Sequence, residues 1–358
     1  MMQTPKRYRL GLVVGKFSPL HQGHEHVIDS AHRCCDQVLV LGYSQPEFRG
    51  CERLRRTAWI NDRFPDVINI QLDDAEIQRR CRDRGIAHQP LPHNSEPDLI
   101  QQLYLAWLLI GPIGLRPDAM FGSEHYIQPC AALLSEQLGS AVSPVCVDLN
   151  RERHPISATR IRQDIHASRQ WLAPVVYKDF VPRIVLLGGE SCGKTTLAKA
   201  LATHYRTAWV PEYGRERWDL QNGQLSLDDL IDIGHVQTAK EQALHLEAHS
   251  WLFCDTSPLT TLGYAGWMFD QQPTELIQLA ERRYDMAILC HPDFEFVQDG
   301  TRRDEAFRLE QHAWYLAQLK ARGIPWIDVR GHVAERVDQV NTALTELKQR
   351  MAYGQSLG

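Results

Sequence analysis

The chain has no apolar run of about 18 residues or more, so none of its helices is expected to cross a membrane. It also lacks any C-x-x-C pair. Its nine cysteines are odd in number and scattered, which argues against a disulfide framework and a zinc ribbon. Reduced thiols in a cytoplasmic protein fit better. There is no excess of basic charge: 39 Lys and Arg face 44 Asp and Glu, a net charge of −5. That balance lacks the positive stripe of a nucleic-acid binder, so anionic ligands must be held by a few placed cations and backbone N–H groups. No secretory leader is read, because the apolar stretch after the first basic residues is short and ends in Gly15-Lys16. Internal repeats and low-complexity tracts are missing too.

What is present is enough apolar material, 43% of 358 residues, for two cores instead of one. In the first half, Tyr8 to Val14, Val38 to Gly42, Val67 to Leu72, Ala119 to Gly122 and Val142 to Asp148 read as strands. His24 to Cys34 and Leu99 to Ile110 read as helices. Such alternation predicts a parallel sheet covered by helices on both faces. Between them, Gln71 to Pro97 is charged and then rich in Pro, His and Asn, and is expected to be a helix followed by a long loop serving as a lid or an interface. Trp171 to Pro182 reads as a connector, after which the pattern restarts. Strands are expected at Arg183 to Leu187, Ala208 to Val210, Trp251 to Asp255, Met286 to Cys290 and Trp326 to Val329. Helices are expected at Lys194 to His204 and Glu335 to Arg350. The expected organisation is two doubly wound α/β domains, 1–170 and 183–358, with a linker at 171–182.

Residues 188–195, Gly-Gly-Glu-Ser-Cys-Gly-Lys-Thr, match G-x-x-x-x-G-K-[ST] between an apolar strand and a helix. Gly188 and Gly193 let the backbone wrap a polyphosphate, and successive N–H groups, from Glu190 and Ser191 through Thr196, can point inward. Lys194 can reach the β- and γ-phosphates of ATP, and Thr195 can ligate Mg²⁺. Asp255 ends an apolar strand where a second Mg²⁺-organising carboxylate fits, a cap or turn residue being the plainer alternative. Glu212, in Pro211-Glu-Tyr-Gly-Arg215, can accept a proton from a substrate hydroxyl; the plainer alternative is a surface ion pair. Asp299-Gly-Thr-Arg302-Arg303-Asp304 reads as an arginine lid over transferring phosphate, or as a solvated charged turn.

A different phosphate site follows the first strand, in Gly15-Lys16-Phe17-Ser-Pro19-Leu-His21-Gln-Gly23-His24. His21 and His24 stand at the start of a helix, where both can aim at one phosphate beside backbone donors. Far downstream, Ser157 and Thr159 can cap a helix and bond phosphate, while Arg162 adds a planar fork. A metal held by His21 and His24 is the rival reading, but no third ligand is visible nearby.

At this point the residues carry a resemblance. The pair GxFxPxHxGH and ISxTxxR resembles the nucleotidyltransferases of the nicotinamide-nucleotide adenylyltransferase type. The strings Phe121-Gly-Ser-Glu-His-Tyr-Ile127, Asp148…Arg153-His-Pro-Ile-Ser157, Pro211-Glu-Tyr-Gly-Arg-Glu216 and Asp255-Thr-Ser-Pro-Leu-Thr-Thr261, together with the Gly188 loop, resemble the bifunctional NadR-like proteins from about residue 8 to 345. The resemblance implies a Rossmann-like nucleotidyltransferase domain followed by a P-loop kinase domain. It also implies two ATP- and Mg²⁺-dependent steps: phosphorylation of nicotinamide riboside, then adenylyl transfer to nicotinamide mononucleotide to give NAD. By resemblance, His21, His24, Ser157, Thr159, Arg162 and Lys16 hold ATP, and Glu212 or Asp255 is the kinase base, with Glu212 favoured. Tyr213 and Arg215 would hold the riboside. Trp59, Trp171 and Trp267 are candidates to stack on the pyridinium ring, or else ordinary partly buried tryptophans. Some family members carry an N-terminal helix-turn-helix; here the first strand starts too early for one, so no operator binding is expected, and a homo-oligomer is left open. Two rivals remain: a fused pantetheine- or riboflavin-type pair, and a nucleotide sensor with little turnover.

Overall fold

A computed structural model of the protein describes residues 7–293 and 305–357. Contacts divide the chain into two units, Met1–Val176 with Ala352–Gly358, and Tyr177–Met351. The division falls inside the connector at 171–182. The last seven residues group with the first unit, whereas the sequence pattern placed them in the second domain.

The first unit is built on a parallel sheet of β1 (Tyr8–Gly15), β2 (Cys35–Tyr43), β3 (Ile68–Leu72), β4 (Ala119–Gly122) and β5 (Ser143–Cys146), in the order β3-β2-β1-β4-β5. Helices α1 (Gln22–Cys34), α2 (Arg53–Arg63), α3 (Asp74–Arg84), α4 (Asp98–Leu108), α5 (Ile127–Leu138) and α6 (Ala158–Gln163) connect or follow the strands. Alternate strand residues point to opposite faces. Leu10, Leu12, Leu39, Leu41, Ile70 and Leu72 enter one core with Leu105, Leu108 and Leu134. Both faces are covered, so β1 reads as a near-continuous apolar run and not as an alternation.

Chain order reverses on the two sides of β1, which has β2 on one flank and β4 on the other. Ligands of open parallel sheets bind at such a switch point, beyond the carboxyl ends of the strands. Gly15 and Gly122 end the two strands there.

A short helical turn, α7 (Pro174–Tyr177), spans the boundary. The second unit holds β6 (Arg183–Leu187), α8 (Lys194–Tyr205), β7 (Trp209–Val210), α9 (Tyr213–Leu220), α10 (Leu227–His245), β8 (Leu252–Asp255), α11 (Pro258–Phe269), α12 (Thr274–Ala280), β9 (Met286–Cys290), α13 (Glu305–Arg322), β10 (Trp326–Val329) and α14 (Val333–Met351). Its parallel sheet has the order β10-β9-β6-β8-β7, so β6 again sits at a reversal. Ile184, Leu186, Phe253, Ile288 and Val329 pack against Leu197 and Leu201 of α8 and Val340, Leu344 and Leu347 of α14. Among the described residues no helix is long and apolar enough to cross a membrane.

Candidate functional site: two phosphate cavities

In the first unit a cavity of about 450 Å³ opens at the switch point. Gly15, Lys16, Phe17, His21, His24, Ser157, Thr159 and Arg162 all line it, so segments more than a hundred residues apart in sequence meet in one place. His21 is the N-cap of α1, and its Nδ1 accepts from the Gly23 N–H at 3.1 Å. That bond leaves the proton of the neutral ring on Nε2, free to be donated to an anion. The His24 ring stacks on His21 at 3.7 Å between centroids, and its Nδ1 is buried without a hydrogen-bond partner. Burial lowers the pKa of both imidazoles, His24 to about 3, with Arg151 adding to the effect on each. A triphosphate brings the opposite charge that reverses this trend.

Arg162, near the end of α6, donates from Nη1 to the Ser18 carbonyl at 2.6 Å and from Nη2 to Thr159 Oγ1 at 3.2 Å. Ser157 caps the same helix, accepting from the Arg160 N–H at 3.3 Å. Lys16 is pushed down by burial and by the adjacent Arg162. Two cations this close favour a negative charge beside them.

Five residues here were given no role from the sequence. Arg151 lines the cavity and pairs with Glu124 at 3.0 Å; Glu124 and His154 line it too. Asp148 fixes this turn by accepting from the N–H groups of Glu152, Arg153 and His154. Asn94 comes from the irregular stretch after α3 and is pinned by its bond to the Pro46 carbonyl at 2.7 Å. That stretch is therefore the helix and long loop expected, with its end forming part of the cavity wall. Spacing could not reveal these residues, because only the fold brings them to the strand ends.

The second unit holds a cavity of about 590 Å³ lined by Glu190, Ser191, Gly193, Lys194, Thr195 and Thr196 together with Glu212 and Arg215. Gly188 adopts φ +143°, and a Cβ there would meet the Cys290 carbonyl at 2.7 Å, so the loop needs glycine at its start. Lys194 Nζ donates to the carbonyls of Gly188 and Gly189 at 3.0 and 2.9 Å, which holds the ammonium over the loop. Burial opposes its charge, but Glu212 leads the groups that raise its pKa on balance. From behind, Arg336 clamps the loop by donating to the carbonyls of Cys192 and His291 at 2.8 and 3.0 Å.

Thr195 Oγ1 donates to Asp255 Oδ2 at 2.5 Å, while Asp255 Oδ1 is buried without a partner. Burial raises the Asp255 pKa and, more strongly, carries that of Glu212 up to about 7, Lys194 opposing and Asp255 reinforcing the second shift. A carboxylate poised there suits proton transfer near neutral pH. Glu190 is tied down by Tyr264, which donates to its Oε1 at 3.0 Å.

Three expectations need correction or limits. Tyr213 does not line the cavity: as the first residue of α9 it turns its ring under Lys240, 4.4 Å away, while Arg215 does line it. Neither Trp59, Trp171 nor Trp267 lines either cavity. Trp59 is 1% exposed in a core, and Trp267 packs edge-on against Tyr264, Phe307 and Trp314. Trp218, unremarked in the sequence, lines the second cavity with Tyr264, Thr260 and Thr261. Arg302 and Arg303 lie outside the described residues. Beyond the cavity, His291, His312 and Asp328 bring their donor atoms within 4.8 Å of one another, but Arg330 already answers the Asp328 carboxylate at 3.2 Å, and the group reads as an ion-pair network.

Fold and cavities together define a two-unit transferase, a Rossmann-like nucleotidyltransferase unit followed by a P-loop kinase unit. Residues 12–164 match the cytidylyltransferase-like family and residues 183–336 match an AAA domain family. Over most of its length the chain is similar to NadR proteins. It is 28% identical over 326 residues to the trifunctional NAD biosynthesis/regulator protein NadR of Salmonella typhimurium, covering 84% of this chain and 73% of that one. The Escherichia coli NadR protein is likewise 28% identical, over 323 residues, with the same shares of each chain covered. Crystal structures of NadR proteins share the fold: one in complex with NR at TM-score 0.67 and 20% identity, covering 96% of this chain and 97% of that one. Another, in complex with NAD and AMP-PNP, reaches 0.64 at 19% identity and covers 99% of each.

Proposed function

We propose that the protein is a bifunctional NAD-salvage enzyme. The second unit phosphorylates the 5′-hydroxyl of nicotinamide riboside with ATP. The first then joins the mononucleotide to the AMP part of a second ATP and releases pyrophosphate. The observation that carries this reading is the presence, in one NadR-like chain, of two phosphate cavities each built within its own unit. The NR and the NAD with AMP-PNP bound by the related crystal structures agree with these substrates.

In the kinase step Glu212 takes the proton from the riboside hydroxyl as its oxygen attacks the γ-phosphorus, while Lys194 and the loop N–H groups stabilise the charge that moves onto ADP. Thr195 and Asp255, whose Oδ1 is buried without a partner, would hold Mg²⁺, which would supply neutralisation of phosphate charge. Trp218 and Tyr264 are placed to receive the pyridinium ring, and Arg215 stands at the cavity wall. In the adenylyl step the phosphate of the mononucleotide attacks the α-phosphorus of ATP, and the bond to the β-phosphate breaks. No covalent intermediate is needed: His21, His24, Lys16, Ser157, Thr159 and Arg162 align the triphosphate and take up charge on the leaving pyrophosphate. Nine free cysteines agree with a cytoplasmic location. We assign the two units no operator-binding role, since a net charge of −5 offers little attraction to a phosphate backbone.

Incubation with ATP and nicotinamide riboside is expected to yield both mononucleotide and NAD; turnover of another vitamin nucleoside instead would reject this reading. The kinase step should also carry an acid limb. Glu212 must be ionised to accept a proton, so kcat/KM for the riboside is expected to rise with pH through about 7 and level off above it. Glu212→Gln should lower the plateau by about 10²-fold or more and remove that limb. A profile unchanged by the substitution would assign the base elsewhere.

A further inference from the structure

Within the first unit, the last residues run beside the segment that follows β2. Gly354 N–H donates to the Arg49 carbonyl at 2.9 Å, Arg49 N–H to the Gln355 carbonyl at 2.8 Å, and Leu357 N–H to the Glu47 carbonyl at 2.7 Å. Phe48 and Ser356 form an antiparallel bridge. The segment they grip is itself anchored, because Glu47 pairs at 2.7 Å with the fully buried Arg56, which also donates to the carbonyls of Cys51 and Leu72.

Both sides of this strap touch Arg162. The guanidinium carbon stands 3.8 Å from the centre of the Phe48 ring, a distance at which the ring face attracts a cation. Gly354 lies so close to the Arg162 backbone that a Cβ would come within 3.0 Å of its carbonyl oxygen, and its φ of +79° also favours glycine. Phe48, Gly354 and Ser356 do not line the cavity. They can act on the reaction only through neighbours that do line it, and Arg162 is the lining residue that Phe48 and Gly354 both touch. An arginine side chain has many rotamers, and only one orientation serves a fixed triphosphate.

We propose that Phe48 and the C-terminal strap 354–357 are positioning residues for adenylyl transfer: they hold the Arg162 guanidinium in the orientation that receives the ATP phosphates. The inference rests on the proposed role of Arg162 as a triphosphate ligand. The ring supports the cation from one side and the strap fixes its backbone, while the bonds to Ser18 and Thr159 set the remaining direction.

The test uses the full-length chain with Arg162→Ala, Phe48→Ala, Phe48→Tyr, Gly354→Ala and the double variant Arg162→Ala/Phe48→Ala. Adenylyl transfer from nicotinamide mononucleotide gives kcat and KM for ATP, and riboside phosphorylation in the same preparation reports folding of the chain. Arg162→Ala is expected to cost about 10²-fold in kcat/KM. Phe48→Ala and Gly354→Ala should each cost about tenfold, with a raised KM for ATP, and Phe48→Tyr, which keeps the aromatic face, should stay within about twofold of the wild type. In the Arg162→Ala background Phe48→Ala should have no further effect. Multiplying effects in the double variant, or unchanged Phe48→Ala and Gly354→Ala proteins beside an impaired Arg162→Ala, would overturn the strap alone. An unimpaired Arg162→Ala would remove the triphosphate assignment and the role of the strap with it.

Discussion

Lys194→Ala is expected to lower riboside phosphorylation by about 10³-fold or more while adenylyl transfer from nicotinamide mononucleotide stays at its wild-type rate. The ammonium is held over the loop by two carbonyls and lines the cavity with Glu212. Arg336, the cation behind the loop, is committed to the Cys192 and His291 carbonyls and does not take its place. Removal of Lys194 takes away the charge that stabilises the bridging and γ-oxygens as the phosphoryl group moves, an interaction strongest in the transition state. The same loss lets the Glu212 pKa climb, because Lys194 leads the groups, Arg215 among them, that oppose the effect of burial there. The surviving activity of the variant should therefore need a higher pH. Steady-state assays of both reactions on one preparation check this, and loss of both activities in a folded protein would contradict it.

The second large effect is the mirror case. His24→Ala is expected to cut adenylyl transfer by about 10²-fold and to leave riboside phosphorylation intact. His24 stacks on His21 and meets Phe17 in a T-shaped contact, so its ring is aimed by packing before any ligand arrives. A donor fixed in advance costs no reorganisation during the reaction, which is why its loss should appear in kcat as well as in KM. His24→Asn keeps an N–H donor in a smaller frame and should recover part of the activity. Equal effects of Ala and Asn would show that the ring acts only through packing.

How much of this was legible in advance depended on how local the chemistry is. The residues of each phosphate pattern line one cavity in their own unit. A loop that wraps phosphate needs particular residues at fixed spacing, and Gly188 cannot be exchanged without changing the backbone. Buried strands such as Arg183–Leu187 and Ala119–Gly122 were equally readable, since both faces of a parallel sheet demand apolar side chains. β2 begins at Cys35, before the expected Val38, because backbone pairing with Tyr8 carries the strand through the exposed Asp36 and Gln37.

The substrate side was less readable. Trp218, Thr260 and Tyr264 reach the second cavity from α9 and α11, and nothing in their spacing distinguishes them from the committed core residue Trp59. One signal passed over was the capping box of Ser226 and Asp229, which starts α10 and could have located the helix that supplies Leu230, Ile233 and Gln237 to the same wall. The strap over Arg162 was invisible for another reason: it joins residues about three hundred positions apart, mostly through backbone bonds that carry no side-chain pattern.

Mixing the two single variants tests the claim of two independent phosphate pockets most directly. Given nicotinamide riboside and ATP, Lys194→Ala should make neither product and His24→Ala should stop at the mononucleotide. Combined in one tube, they should make NAD again, with His24→Ala supplying the mononucleotide that Lys194→Ala adenylylates. A mixture that stays without NAD, although each partner retains its own remaining reaction, would contradict the account.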